Sequence, residues 1–131
     1  MTLLPDAIEV QVLSSFANAT KRQTPYDYWL VQNCLPAPIV DEVLDLPLRA
    51  AGLDGVSGRR ELHNDKRRYF DVGNRNEFPV VAAVARAFQS PGVTSSITEL
   101  FGVSLKGTYL RIEFAQDTDG FWLEPHTDIG V

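Results

Sequence analysis

Near residue 105 the hydrophobic period of the chain changes. Upstream, apolar residues recur at helical spacing: Ile8, Val12, Leu13 and Phe16, then Val80, Val81, Val84, Ala85 and Phe88. Downstream, Thr108 to Ala115 alternates, with Leu110, Ile112 and Phe114 on one face and Tyr109, Arg111 and Glu113 on the other. A helix returns to the same face about every 3.6 residues and a strand every second residue. A mixed order, with a largely helical first two thirds that feeds into a sheet, points to an α+β fold.

The spacing predicts a first helix over 6–20 and a polar break from Lys21 to Pro25. A short aromatic, β-branched strand follows from Tyr26 to Val31. Tyr26, Tyr28 and Trp29 are expected in the core of this outer layer. Ile39, Val40, Val43 and Leu44 predict a short helix that Pro47 ends. Ala50 to Gly58 holds three glycines and reads as a loop, and Lys66 to Val72 as a strand. Phe78 to Gln89 is the strongest helix, stopped by Pro91-Gly92. A further short helix from Thr94 closes at Gly102 in a left-handed cap. After the alternating stretch, Gln116 to Gly120 reads as a turn and Phe121 to His126 as a second strand.

A sheet of two or three strands leaves backbone donors and an apolar face open to water. The expectation is therefore a single domain over 1–131 that is the front part of a larger one. Residues 1–105 would be a helical support region, and 106–131 the first core strands of a sheet that a missing C-terminal half or a partner chain completes.

Composition narrows the function classes. A length of 131 residues suits one domain. Hydrophobic and charged fractions of 44% and 22% exclude a disordered tail, a collagen-like rod and a coiled coil. A net charge of -5 argues against nucleic-acid binding, which needs a cationic footprint. The single cysteine, Cys34, cannot form an internal disulfide and reads as a small buried hydrophobe. The segment Met1–Val10 lacks the basic start of a signal peptide. No run approaches the ~18 apolar residues of a membrane span. The expected address is the cytoplasm. No P-loop, GxGxxG, GxSxG, CxxC or HExxH pattern occurs.

The chemistry-bearing feature is His126-Thr127-Asp128. In extended backbone an imidazole and a carboxylate two residues apart point to the same side. A neutral nitrogen and an anionic oxygen on one face, with other positions open, suit a ferrous ion. Spacing alone does not single the pair out, because the chain holds ten aspartates.

Its surroundings do. Tyr109-Leu-Arg-Ile-Glu-Phe114, followed by Gln116-Asp-Thr-Asp-Gly-Phe-Trp-Leu-Glu-Pro-His-Thr-Asp-Ile-Gly130, resembles the first core strands of the 2-oxoglutarate- and iron(II)-dependent oxygenases. The likeness is closest to the prolyl 4-hydroxylase-like branch. Leu62 to Phe70 and the stretch from Phe78 to Pro91 are similar to bacterial members of that branch. The resemblance covers most of the chain, and its specific part is residues 109–130.

It implies N-terminal helices and short strands packed on the start of a double-stranded β-helix, or jelly roll. It also implies His126 and Asp128 as the first two iron ligands, with 2-oxoglutarate and O2 as co-substrates and ascorbate as a possible reductant. The activity implied is a dioxygenase that couples decarboxylation of 2-oxoglutarate to hydroxylation of a C–H bond in a small-molecule or protein substrate. The family's third ligand is a histidine dozens of residues after the aspartate, and its co-substrate-gripping basic residue lies farther on. Only three residues follow Asp128 here, and from Gly107 onward Arg111 is the single cation. The expectation is a half-site without turnover on its own. Two other outcomes stand beside it: a non-catalytic binding or interaction module that keeps the outer layer of the fold, and a chain completed by another subunit.

Other residues have competing roles. His63 is a candidate third ligand or an ordinary surface histidine. Arg111 is a candidate co-substrate contact or a salt-bridge partner on its strand. Phe121 and Trp122 are candidates to wall a substrate pocket, or core residues. Glu124 is a candidate support for His126, or a solvated carboxylate. The basic cluster Arg59, Arg60, Lys66, Arg67 and Arg68 is diluted by Glu61, Asp65 and Asp71 and reads as a solvated edge.

Overall fold

The computed structural model describes residues 5–49, 68–117 and 119–126. The loop expected at 50–58, His63 and most of the basic cluster lie outside these. The α+β class holds, with five helices and two two-stranded antiparallel sheets among the described residues. These sheets form no closed barrel. No helix is long and apolar enough to cross a membrane among the described residues. The chain divides into two compact units, Met1–Leu46 with Phe70–Ile112, and Pro47–Tyr69 with Glu113–Val131.

The first unit is built around one helix. Helix α1 (Pro5–Ala17) buries Ile8, Val12 and Ser15 at spacings of four and three. Helix α2 (Ala37–Leu44) buries Ile39, helix α3 (Val72–Glu77) is solvent-facing, and helix α5 (Pro91–Phe101) buries Val93. Between them runs α4 (Pro79–Phe88), which packs against all four. It buries Val80, Val81, Ala83, Val84, Ala85 and Ala87, and among these Arg86 is the exposed exception. A helix apolar on nearly every side has to be central, and its alanines let the neighbours approach. At Gly92 of α5 an added Cβ would lie 2.5 Å from Oε1 of Glu9 on α1, so the residue there must be small or Glu9 must move.

Helix starts depend on capping chemistry. Four of the five described helices, α1, α2, α4 and α5, carry proline in the first turn, where a missing N–H costs nothing. Pro91 therefore opens α5, with Ser90 Oγ accepting from the Val93 N–H at 3.3 Å. Helix α4 does stop before Pro91-Gly92, at Phe88, and the helix expected from Thr94 begins three residues earlier, at Pro91. Helix α5 does close on Gly102, at φ 65°. Helix α3 replaces the end of the strand expected at 66–72, because Asp71 caps it by accepting from the Asn74 N–H at 2.8 Å. Helix α1 stops at Ala17, short of the expected residue 20, because Thr20 enters a strand.

Strands β1 (Thr20–Arg22) and β2 (Tyr28–Leu30) form a hairpin in register Thr20↔Leu30, Lys21↔Trp29 and Arg22↔Tyr28. Trp29 meets Phe101 edge-on at 4.7 Å, and Lys21 Nζ stands 5.3 Å over the Trp29 ring. Trp29 and Tyr28 are half-buried, but Tyr26, expected in the core, is 69% exposed. Cys34 is half-buried with Sγ 3.3 Å from Ser15 Oγ, so its thiol has a polar neighbour and is not a purely apolar filler.

In the second unit, β3 (Arg68–Tyr69) pairs antiparallel with β4 (Glu113–Phe114). The strand expected over 108–115 shortens to β4, and no strand forms over 121–126. Alternation is only a tendency; a strand exists where a partner completes the ladder. Two residues of β3 supply partners for two residues of β4. Tyr109 and Leu110, which the alternation places on opposite faces, are both exposed, at 89% and 40%.

Candidate functional site

The segment that carries the candidate chemistry begins after β4. Asp119 and Gly120 make a turn, with Gly120 at φ 90°, a conformation that disfavours a side chain. From Phe121 to His126 the backbone takes no strand conformation, and every residue is exposed. His126 is held locally: its Nδ1 lies 2.9 Å from the main-chain oxygen of Glu124. A carbonyl oxygen only accepts, so in the neutral ring the proton sits on Nδ1 and the lone pair on Nε2. Glu124 therefore acts on His126 through its backbone, where its carboxylate was the candidate support.

Asp128 lies outside the described residues. Among the described residues, no group of three or more His, Cys, Asp or Glu side chains gathers in a way able to hold a metal ion. The imidazole nevertheless fits one requirement of a metal ligand, a ring fixed by a hydrogen bond from its other nitrogen.

The candidate residues fall in different units. Arg111 is exposed and belongs to the first unit, whereas Phe121, Trp122, Glu124 and His126 belong to the second. Phe121 and Trp122 are 42% and 58% exposed, and Leu123 beside them is 43% exposed, so these side chains are not core residues. The described part of the second unit carries Glu113, Asp117, Asp119 and Glu124 against Arg49 and Arg68. That balance favours a cation over a dianion near this segment.

No protein-family model, curated protein or solved structure matches this chain.

Proposed function

We propose that the segment ending in His126-Thr127-Asp128 is the first part of the iron(II) centre of a 2-oxoglutarate-dependent dioxygenase, and that this chain carries it as a half-site. In this reading β4 and the residues after it correspond to the opening segment of a jelly roll. The support from sequence is the likeness over residues 109–130. The observation that carries the proposal is the 2.9 Å contact between His126 Nδ1 and the Glu124 carbonyl. It places the ring proton on Nδ1 and the lone pair on Nε2, the tautomer that a metal-binding histidine fixed through its other nitrogen adopts.

His126 would supply a neutral nitrogen and Asp128 an anionic oxygen. When bound, ferrous iron would bring 2-oxoglutarate and dioxygen together and couple co-substrate decarboxylation to hydroxylation of a C–H bond. The chain's own residues would hold the ion, keep the imidazole in one tautomer and, through the exposed Phe121 and Trp122, offer apolar surface to a substrate.

Manganese(II), an oxygen-stable stand-in for iron(II), tests the ligands. Titrated into the isotope-labelled chain, it should broaden the His126 ring signals and the 124–130 amides first. Both His126→Ala and Asp128→Ala should abolish that selectivity. Broadening spread over Asp117 and Asp119 and indifferent to either substitution would overturn the ligand assignment. The half-site predicts no succinate from this chain with iron(II), 2-oxoglutarate and ascorbate; stoichiometric succinate would refute it.

The contiguous exposure of Phe121, Trp122 and Leu123 favours a second reading, a non-catalytic interaction module whose contact surface is this apolar tripeptide. Metal indifference together with loss of self- or partner association in Trp122→Ser would select it.

A further inference from the structure

We propose that the outward face of the β1–β2 hairpin binds a small ligand bearing an oxyanion, a phosphate or a carboxylate, with Arg22 as its anchor. The site lies within the first unit and does not rest on the iron reading.

Strand alternation sorts the hairpin into two faces. Lys21 and Trp29 are register partners on one, and Trp29 there packs on Phe101. Arg22 with Tyr28, and Thr20 with Leu30, share the other. That second face is solvent-accessible: Leu30 is 50% exposed, and the 69% exposed Tyr26 meets Tyr28 edge-on at 6.0 Å. A groove of about 600 Å³ opens at the turn end of the hairpin, lined by Arg22, Tyr28 and Leu30 of this face, by Gln23 and Thr24 of the connection, and by Lys21. Its volume is within the range of small-molecule sites.

The groove is rich in donors that have nothing to do inside the fold. Arg22, Gln23, Thr24 and Tyr28 make no side-chain hydrogen bond or ion pair among the described residues. The nearby carboxylate, Asp27, is turned to Lys21, with Oδ2 3.4 Å from Nζ, and so leaves Arg22 uncompensated. A guanidinium with five N–H groups, a carboxamide and two hydroxyls want acceptors and negative charge. An apolar ligand would strip water from these donors and return nothing. An oxyanion accepts two parallel N–H bonds from the guanidinium fork, and this matches either a planar carboxylate or a phosphate. Tyr28 and Leu30 supply the apolar wall that limits how water competes. In a chain of net charge -5, this hairpin is a place where such an anion is attracted.

The test is an amide-shift titration of the full chain with inorganic phosphate, glucose 6-phosphate and citrate, at ionic strength matched with sodium chloride. Saturable shifts confined to residues 20–30 are expected with at least one of the three. Tighter binding of the phosphates or of citrate decides which oxyanion is preferred, and either supports the site. Arg22→Gln should weaken binding about tenfold, the scale of a lost charge-assisted hydrogen bond. Tyr28→Phe, which removes only the hydroxyl, should weaken it about threefold, and Lys106→Gln should leave it unchanged. Absence of saturable shifts, shifts spread equally over Arg75, Arg86 and Lys106, or equal affinity in Arg22→Gln would overturn the proposal.

Discussion

Ile8→Ala tests whether α1 is held by its buried stripe. Ile8 is fully buried, and the substitution removes three carbon atoms from a site that packs between helices. Each buried carbon contributes about 0.8 kcal/mol, so lost transfer alone costs about 2.4 kcal/mol. A void that stays partly open adds about 24 cal/mol per Å³, or about 1–2 kcal/mol for the ~50–80 Å³ vacated. The expected loss is therefore about 3.5–4.5 kcal/mol, a large part of the stability of a domain this size. Urea unfolding followed by the fluorescence of Trp29, half-buried against Phe101, should show a lower midpoint with an unchanged slope. Val10→Ala on the same helix is the control. Val10 is 66% exposed, and its substitution should shift stability by no more than about 0.5 kcal/mol. A loss under about 1 kcal/mol for Ile8→Ala, or an equal loss for both variants, would refute the packing argument.

Two backbone devices make smaller, separable predictions. Asp71→Ala should cost about 1 kcal/mol by leaving the Asn74 N–H unsatisfied, while Asp71→Asn should retain most of the cap; chemical denaturation of the two variants checks the difference. Gly102→Ala should cost about 1–2 kcal/mol purely through backbone strain at φ 65°, since no atom within 4 Å would meet the new methyl. Gly102→Asn should cost less, because asparagine tolerates the left-handed region, and the ordering of the two melting temperatures is the readout.

Much of the helical region was legible before any coordinates. Ile8 and Val12, or Val80, Val81 and Val84, announce helices because a helix satisfies its own backbone and needs a neighbour only for its apolar side. Pro91-Gly92 marks the end of α4, because proline cannot continue a helix; the same missing N–H also makes Pro91 the beginning of α5 once Ser90 supplies the cap, three residues before the expected Thr94. Helix α3 escaped notice because Val72–Glu77 has no apolar stripe; Asp71 three residues before Asn74 was the signal available. At the candidate site, His126 was legible by residue type. Its partner was not, because the atom that holds it is a main-chain oxygen, and every residue has one.

The sequence by itself determined roughly where four of the five described helices run, and that an imidazole and a carboxylate stand two residues apart at His126 and Asp128. Only the tertiary structure decided which alternating residues become strand. Leu110 and Glu113 belong to the same pattern, but Glu113 faces Tyr69 across a ladder and Leu110 has no such partner assigned. The physical reason is range: helical hydrogen bonds close over four residues, whereas the β3–β4 bonds join positions more than forty residues apart, which no local pattern can encode.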